Sequence, residues 1–269
     1  MRGYADGGIS MNEIIQVKDL SFAYGNIPIL DGLNFSVHKG DFIGLIGPNG
    51  SGKSTLIKLL LNKNKPAQGE IKILGQDINK FTRWDKIGYV SQRATSFNTS
   101  FPATVKEVVG ANLFSRVGLF KRLKKEHRER VCDALKTVGL DGLGDRLIGN
   151  LSGGQQQRVF IARVLVSSPE IMFLDEPISG VDAESGGAIY CLLGKLNSER
   201  GISIVMVSHD IGAVTVHANK IACMVDKKII INKNTREFEN KTLKHIYKYQ
   251  VNLHAHRHSC ENQYGGGKV

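Results

Sequence analysis

Nine consecutive residues, Gly47-Pro48-Asn49-Gly50-Ser51-Gly52-Lys53-Ser54-Thr55, have the composition to grip a phosphate chain. The pattern is G-x-x-x-x-G-K-[ST], and it sits between an apolar strand-like run at 42–46 and a helix-like run at 53–61, the context in which that pattern works. Glycines let backbone N–H groups converge on phosphate oxygens, and a helix N-terminus adds positive partial charge. Lys53 can reach β- and γ-phosphates, and Ser54 offers a hydroxyl to Mg²⁺. An ordinary glycine-rich turn is the alternative, and the flanking strand and helix speak against it.

A pair of carboxylates forms the second constellation. Asp175 closes the apolar run 171–174, and Glu176 follows directly. A parallel strand delivers its last residue to the carboxyl edge of its sheet, where a phosphate loop also belongs. There one carboxylate can face a metal's shell while the next orients or deprotonates a water for in-line attack on the γ-phosphate. An isolated Asp-Glu pair is usually a surface pair; the phosphate loop gives this one a partner. Ser152, with Gln155 three residues on, reads as a capping box in which Gly153-Gly154 exposes backbone N–H groups at the start of a helix running to 167. Taken alone, that is a helix cap and nothing more.

The whole pentapeptide Leu151-Ser152-Gly153-Gly154-Gln155, placed after the loop and before the strand ending in Asp175-Glu176, resembles the signature of ATP-binding cassette (ABC) ATPases. The resemblance runs from about residue 15 to 224, with the motifs in the family's order. It implies ATP and Mg²⁺ as cofactors. Nucleotide contacts fall on Tyr24, Gly47, Pro48, Asn49, Gly50, Ser51, Gly52, Lys53, Ser54 and Thr55; metal contacts fall on Ser54, Gln92 and Asp175. The catalytic set it implies is Glu176, His209 and Gln92, with His209 bonded to the γ-phosphate and positioning Glu176. Family members clamp nucleotide between two cassettes arranged head to tail. Ser152, Gly153, Gly154 and Gln155 of one copy would therefore meet the γ-phosphate held by the other copy's loop, and Asp182, in Ser179-Gly180-Val181-Asp182, would join the two sites. Tyr24 stands where the family puts an aromatic ring against adenine. Without the resemblance Tyr24 is core or surface filler, Gln92 a loop residue, and His209 a structural histidine at a sheet edge. Ile178 departs from the family pattern, which often has Thr there.

These groups need a scaffold that brings strand ends and helix starts to one edge. The runs 42–46, 171–174 and 202–207 are uninterrupted and apolar, as strands buried on both faces of a parallel sheet are. Segments 14–17, 20–24 and 33–37 alternate more, with turns at Gly25-Asn26 and Lys39-Gly40, and read as an antiparallel edge flanking that core. From about 94 to 165 helical patches dominate, at 124–138 and 155–167. The expected fold class is α/β: a P-loop NTPase core with a mainly parallel sheet, an antiparallel β edge subdomain and an inserted helical subdomain. Residues 11–250 would form a single ABC ATPase domain, with 11–92 and 166–250 as core and 93–165 as the helical insertion. Residues 1–10 are expected to be a disordered extension and 251–269 a flexible His-rich tail.

The 269 residues, 41% of them apolar, suffice for one such domain. Cys132, Cys191, Cys223 and Cys260 form no C-x-x-C pair, so neither a disulfide framework nor a compact thiolate site is suggested, and a reducing compartment is the simpler reading. No signal-peptide core opens the chain, and no run approaches the ~18 apolar residues of a membrane span; the expected location is the cytoplasmic face of the cell membrane. The net charge is +11, with Lys121, Arg122, Lys124, Lys125, Arg128 and Arg130 crowded together. That run reads as a solvated helix face, then as a neighbour of anionic lipid headgroups. Nucleic acid is disfavoured, because no aromatic residues interleave with the charges.

Finer similarity in 99–109, 149–163 and 179–185 resembles ATPase subunits of bacterial zinc, manganese or iron uptake systems. It implies three partners: a second copy of the chain, an integral membrane permease touched through 92–120, and indirectly an extracytoplasmic metal-binding protein. The rivals are a soluble ABC ATPase of iron–sulfur cluster assembly and an ABC importer of another substrate. His254, His256, His258 and Cys260 could chelate zinc, but no spacing among them fixes a tetrahedral site, and solvated histidines are the stronger reading.

Overall fold

The computed structural model describes residues 12–92, 102–113 and 124–232. Strand β1 (Glu13–Tyr24) turns at Gly25 into β2 (Ile27–His38), which pairs with it antiparallel. After Lys39-Gly40, β3 (Phe42–Ile46) runs into the glycine-rich loop and α1 (Lys53–Leu60). β4 (Gln68–Ile73) returns to pair with β1, and the short β5 (Gln76–Asp77) pairs with β4. β6 (Ile87–Val90) leads toward Gln92, followed by helices α2 (Val105–Gly110), α3 (Lys125–Thr137) and α4 (Gly153–Leu165). The chain then alternates through β7 (Ile171–Asp175), α5 (Ala183–Arg200), β8 (Ser203–Val207), α6 (Ile211–His217) and β9 (Lys220–Val225), and β10 (Lys228–Asn232) closes the described part.

Two sheets result. One has the order β10-β9-β3-β8-β7-β6 and is parallel except for β10. Every residue of β3, β7 and β8 is buried, which is why these strands carry uninterrupted apolar runs. Their side chains still alternate between two cores. Leu45, Phe173 and Val205 pack with α1 and the N-terminal strands, while Met172, Leu174, Ile204 and Met206 pack with the helices on the other face.

The N-terminal strands are longer than expected. Segments 14–17 and 20–24 are one strand, β1, because Asp19 at φ 48° and a register shift between Val17 and Leu20 bend it without ending it. They belong to a four-stranded antiparallel sheet, β2-β1-β4-β5, the antiparallel subdomain expected to flank the parallel core. The expected helix and strand limits elsewhere fall within about two residues of those found, the usual uncertainty of element ends.

Helices α2, α3 and α4 share one buried cluster with the parallel sheet, contributed by Val109, Leu135, Val159 and Ile161 among others. Thr104 and Glu107 cap α2 reciprocally, with the Thr104 N–H donating to Glu107 Oε2 at 2.8 Å. α4 lies tight on β6 because Gly88 has no side chain: a Cβ there would stand 2.1 Å from Val164 Cγ1. Gly88→Ala is therefore expected to destabilise the fold by about 1–3 kcal/mol, seen as a lower urea midpoint at unchanged slope. No helix among the described residues is long and apolar enough to cross a membrane. Residues 1–10 and 251–269, Lys121 and Arg122 of the basic run, and much of 92–120 lie outside the described residues, as do His254, His256, His258 and Cys260; Lys125, Arg128 and Arg130 lie on α3, with Lys124 as its N-cap.

Candidate active site

The carboxyl ends of β3, β7 and β8 stand side by side, since β8 pairs with both others. Two backbone hydrogen bonds hold that edge in line: Glu176 N–H to Val207 O at 3.0 Å and Ser208 N–H to Leu45 O at 3.4 Å. The glycine-rich loop leaves β3 here. Gly47 takes φ 149°, and a Cβ on it would meet Met224 O at 2.4 Å, so the loop lies against β9 only because this residue is bare. Helix α1 starts at Lys53 with neither a side-chain cap nor an acidic residue in its first turn, which leaves its N–H groups and positive end for an anion. Ser51 Oγ is buried in the loop without a hydrogen-bond partner.

Lys53 folds back over the loop. Its Nζ donates to Gly47 O at 2.8 Å and Pro48 O at 2.9 Å, and the residue is only 6% exposed. Burial pulls its pKa below the ordinary lysine value, opposed by the nearby Glu176, Asp175 and Cys223. The ammonium thus stands at the loop ready to exchange carbonyl oxygens for phosphate oxygens. Ser54 Oγ donates to Asp175 Oδ1 at 3.2 Å. Burial raises the pKa of Asp175, and Glu176 raises it further, while the Ser54 hydrogen bond, Lys58 and Lys53 pull the other way. A carboxylate so desolvated gains from a cation.

Glu176 follows Asp175 at φ 51°, a left-handed conformation that non-glycine residues seldom adopt and that gathers at functional sites. The kink aims its carboxylate sideways. Gln92 Nε2 donates to Glu176 Oε2 at 2.7 Å, and His209 Nε2 makes a close contact with Glu176 Oε1. The structure therefore brings together the loop, Ser54, Asp175, Glu176, Gln92 and His209 at one sheet edge.

It does not bring the remaining residues there. Ser152 and Gln155 form the expected capping box at the head of α4, with bonds of 3.3 and 3.1 Å. Gly154 presses on α5, where a Cβ would meet Ser185 Cβ at 2.6 Å. Among the described residues no hydrogen bond joins 152–155 to 47–55 of the same chain. Asp182 caps α5, accepting from the Ser185 N–H at 2.9 Å, and that bond lowers its pKa. Tyr24 is 46% exposed, with Phe22 edge-on at 4.8 Å and Asn64 donating to its hydroxyl at 3.0 Å.

The ABC transporter family model matches residues 30–179. The chain belongs to the ABC transporter family. It is similar to the zinc uptake system ATP-binding protein ZurA of Listeria innocua, 47% identical over 230 residues that cover 86% of this chain and 89% of that protein. The manganese transport system ATP-binding protein MntB of Bacillus subtilis is 39% identical over 87% of this chain and 92% of its own length. Among solved structures, the dimeric post-hydrolysis state of the ATP-binding cassette MJ0796, bound to ADP and Pi, superposes with a TM-score of 0.69 at 31% identity, covering 82% of this chain and 98% of that one. This ABC protein is accordingly an ATP hydrolase, and cassettes of its kind pair as dimers.

Two features of the ABC site had no signal in the sequence. The left-handed backbone at Glu176 gives no compositional cue, since it sits on a glutamate and not on a glycine. Tyr190, in the interior of α5, also lines the space behind Glu176 and His209; a single tyrosine in a helix carries no spacing that would point to it.

Proposed function

We propose that this chain is the ATP-hydrolysing subunit of an importer for a transition-metal ion, zinc, manganese or iron, working against the cytoplasmic face of a membrane permease. The observation that carries the hydrolytic part is the carboxylate of Glu176, bracketed by Gln92 and His209 beside the phosphate loop. The cargo rests on the relatives, which are named for zinc and manganese uptake.

The residues present fit a magnesium nucleotide. The unpartnered Ser51 hydroxyl, the uncapped start of α1 and the desolvated Asp175 beside Ser54 are what a bound polyphosphate and its cation would satisfy. The loop Gly47 to Thr55 binds the phosphates, with Lys53 on the β- and γ-groups, and Tyr24 packs against the base. Ser54, Asp175 and Gln92 would hold Mg²⁺, which when bound neutralises charge on the transferring phosphoryl group. Glu176 orients the attacking water and takes its proton, and His209 steadies Glu176 and donates to the γ-phosphate. Ser152, Gly153, Gly154 and Gln155 serve the loop of a second copy, and Asp182 lies where the two sites communicate. This division explains why the capping box of α4 is formed yet bonded to nothing in its own chain's loop.

The test is reconstitution with the permease and an extracytoplasmic metal-binding protein in vesicles. Metal-loaded binding protein is expected to raise ATP turnover several-fold. Equal turnover with and without metal would exclude metal import, and purification without any membrane-spanning partner would favour the cluster-assembly alternative.

A further inference from the structure

Tyr190 is 3% exposed and belongs to none of the family motifs described above. Its phenol oxygen lies 3.0 Å from Ser208 Oγ, and the same Oγ accepts from the Asp210 backbone N–H at 3.0 Å. Ser208 and Asp210 flank His209, so these two bonds grip the chain on both sides of the histidine. The Tyr190 ring also stacks on His217 at the end of α6, with centroids 5.5 Å apart and planes within 4°. Asp210 meanwhile caps the start of α6, accepting from the Ala213 N–H at 3.0 Å. One side chain of α5 therefore touches both ends of the segment that presents His209.

Tyr190 also forms one wall of a cavity of about 310 Å³, whose other walls include Glu176, Ser179 and His209. Burial pushes the phenol up to about 12, opposed by the Ser208 hydrogen bond and helped to a lesser degree by the charge of Asp210. The hydroxyl keeps its proton throughout the neutral range, so the bond to Ser208 does not titrate where the enzyme works.

We infer that Tyr190 is a positioning residue for hydrolysis, holding Ser208 and α6 so that His209 stays against Glu176. The inference rests on the hydrolytic roles of Glu176 and His209 proposed above. Tyr190 acts through the histidine and reaches neither the phosphate loop nor Asp175, so removing its hydroxyl is expected to slow the chemical step without altering nucleotide binding.

The test uses the full chain with Mg·ATP and the variants Tyr190→Phe, Ser208→Ala and both together, with melting temperature recorded for each. Tyr190→Phe should lower kcat roughly five- to tenfold, the scale of one lost hydrogen bond, with KM and the nucleotide dissociation constant unchanged. Ser208→Ala should lower kcat at least as far, because it also removes the acceptor of the Asp210 N–H, and the double variant should be no worse than Ser208→Ala alone, since that change already breaks the bond to Tyr190. On the residual turnover of His209→Ala, adding Tyr190→Phe should cost nothing further. Wild-type kcat in both single variants would overturn the inference. An undiminished loss in the His209→Ala background would overturn it as well, as would losses of ATP affinity and melting temperature matching the loss of kcat. If Glu176→Gln and His209→Ala themselves turn over normally, it is the hydrolytic reading that fails; if they are inactive while Tyr190→Phe is normal, only the role of Tyr190 falls.

Discussion

Glu176→Gln should bind ATP as the unaltered chain does and hydrolyse it about 100- to 10,000-fold more slowly, the range a positioned general base supplies. The exchange is nearly isosteric, and the residue's left-handed backbone conformation is set by its place after β7. What is lost is the ability to accept a proton and the second acceptor oxygen. In the native site one carboxylate oxygen accepts from Gln92 at 2.7 Å while the other faces His209; an amide can offer an acceptor to only one of them. Because Lys53, Ser54 and the loop glycines are untouched, affinity for ATP should stay within about twofold, far inside the ~1.4 kcal/mol that a tenfold change requires. A nucleotide-loaded dimer should accumulate on a sizing column, and phosphate release should fall away. Retained turnover would remove Glu176 from its role and leave its contacts with Gln92 and His209 as structure only.

Lys53→Ala should instead fail at binding. A charge-assisted hydrogen bond to phosphate is worth roughly 1.5–3 kcal/mol, so the dissociation constant for ATP should rise about 10- to 150-fold. The effect should be larger for ATP than for AMP, because Lys53 is assigned to the β- and γ-groups and not to the base or sugar. The side chain also makes two bonds to the loop carbonyls, of Gly47 and Pro48, and its loss frees the loop to spread. Calorimetric titration with ATP, ADP and AMP would show this order directly. Equal weakening of all three nucleotides would mean that the loop had collapsed and that Lys53 does not act as a phosphate ligand.

Much of this was legible in the sequence for a local reason. The loop, the Asp175-Glu176 pair and the Ser152 to Gln155 cap each pack their chemistry into a few adjacent residues, and the apolar runs of β3, β7 and β8 follow from burial on both faces. What escaped depends on partners distant in the chain. β4 begins with exposed Gln68, Gly69 and Glu70, so its first half has no apolar pattern, and its place beside β1 in the antiparallel sheet was not foreseen. The bulge at Asp19 interrupts the alternation of β1 without ending the strand. Lys53 was expected on phosphate, and the structure shows that its ammonium is first satisfied by loop carbonyls. Tyr190 had no cue in the sequence, because its two partners, Ser208 just after β8 and His217 at the end of α6, are distant from it in the chain.

The central claim is that each hydrolytic site is completed by the neighbouring copy's Ser152 to Gln155. It is tested most directly by measuring ATP turnover per chain across a wide range of protein concentration, for the native chain and for Ser152→Ala. A head-to-tail pair predicts turnover per chain that climbs with concentration until dimers saturate, and a steep fall when Ser152 is replaced. Full turnover in a strict monomer, flat with concentration and indifferent to Ser152→Ala, would contradict it.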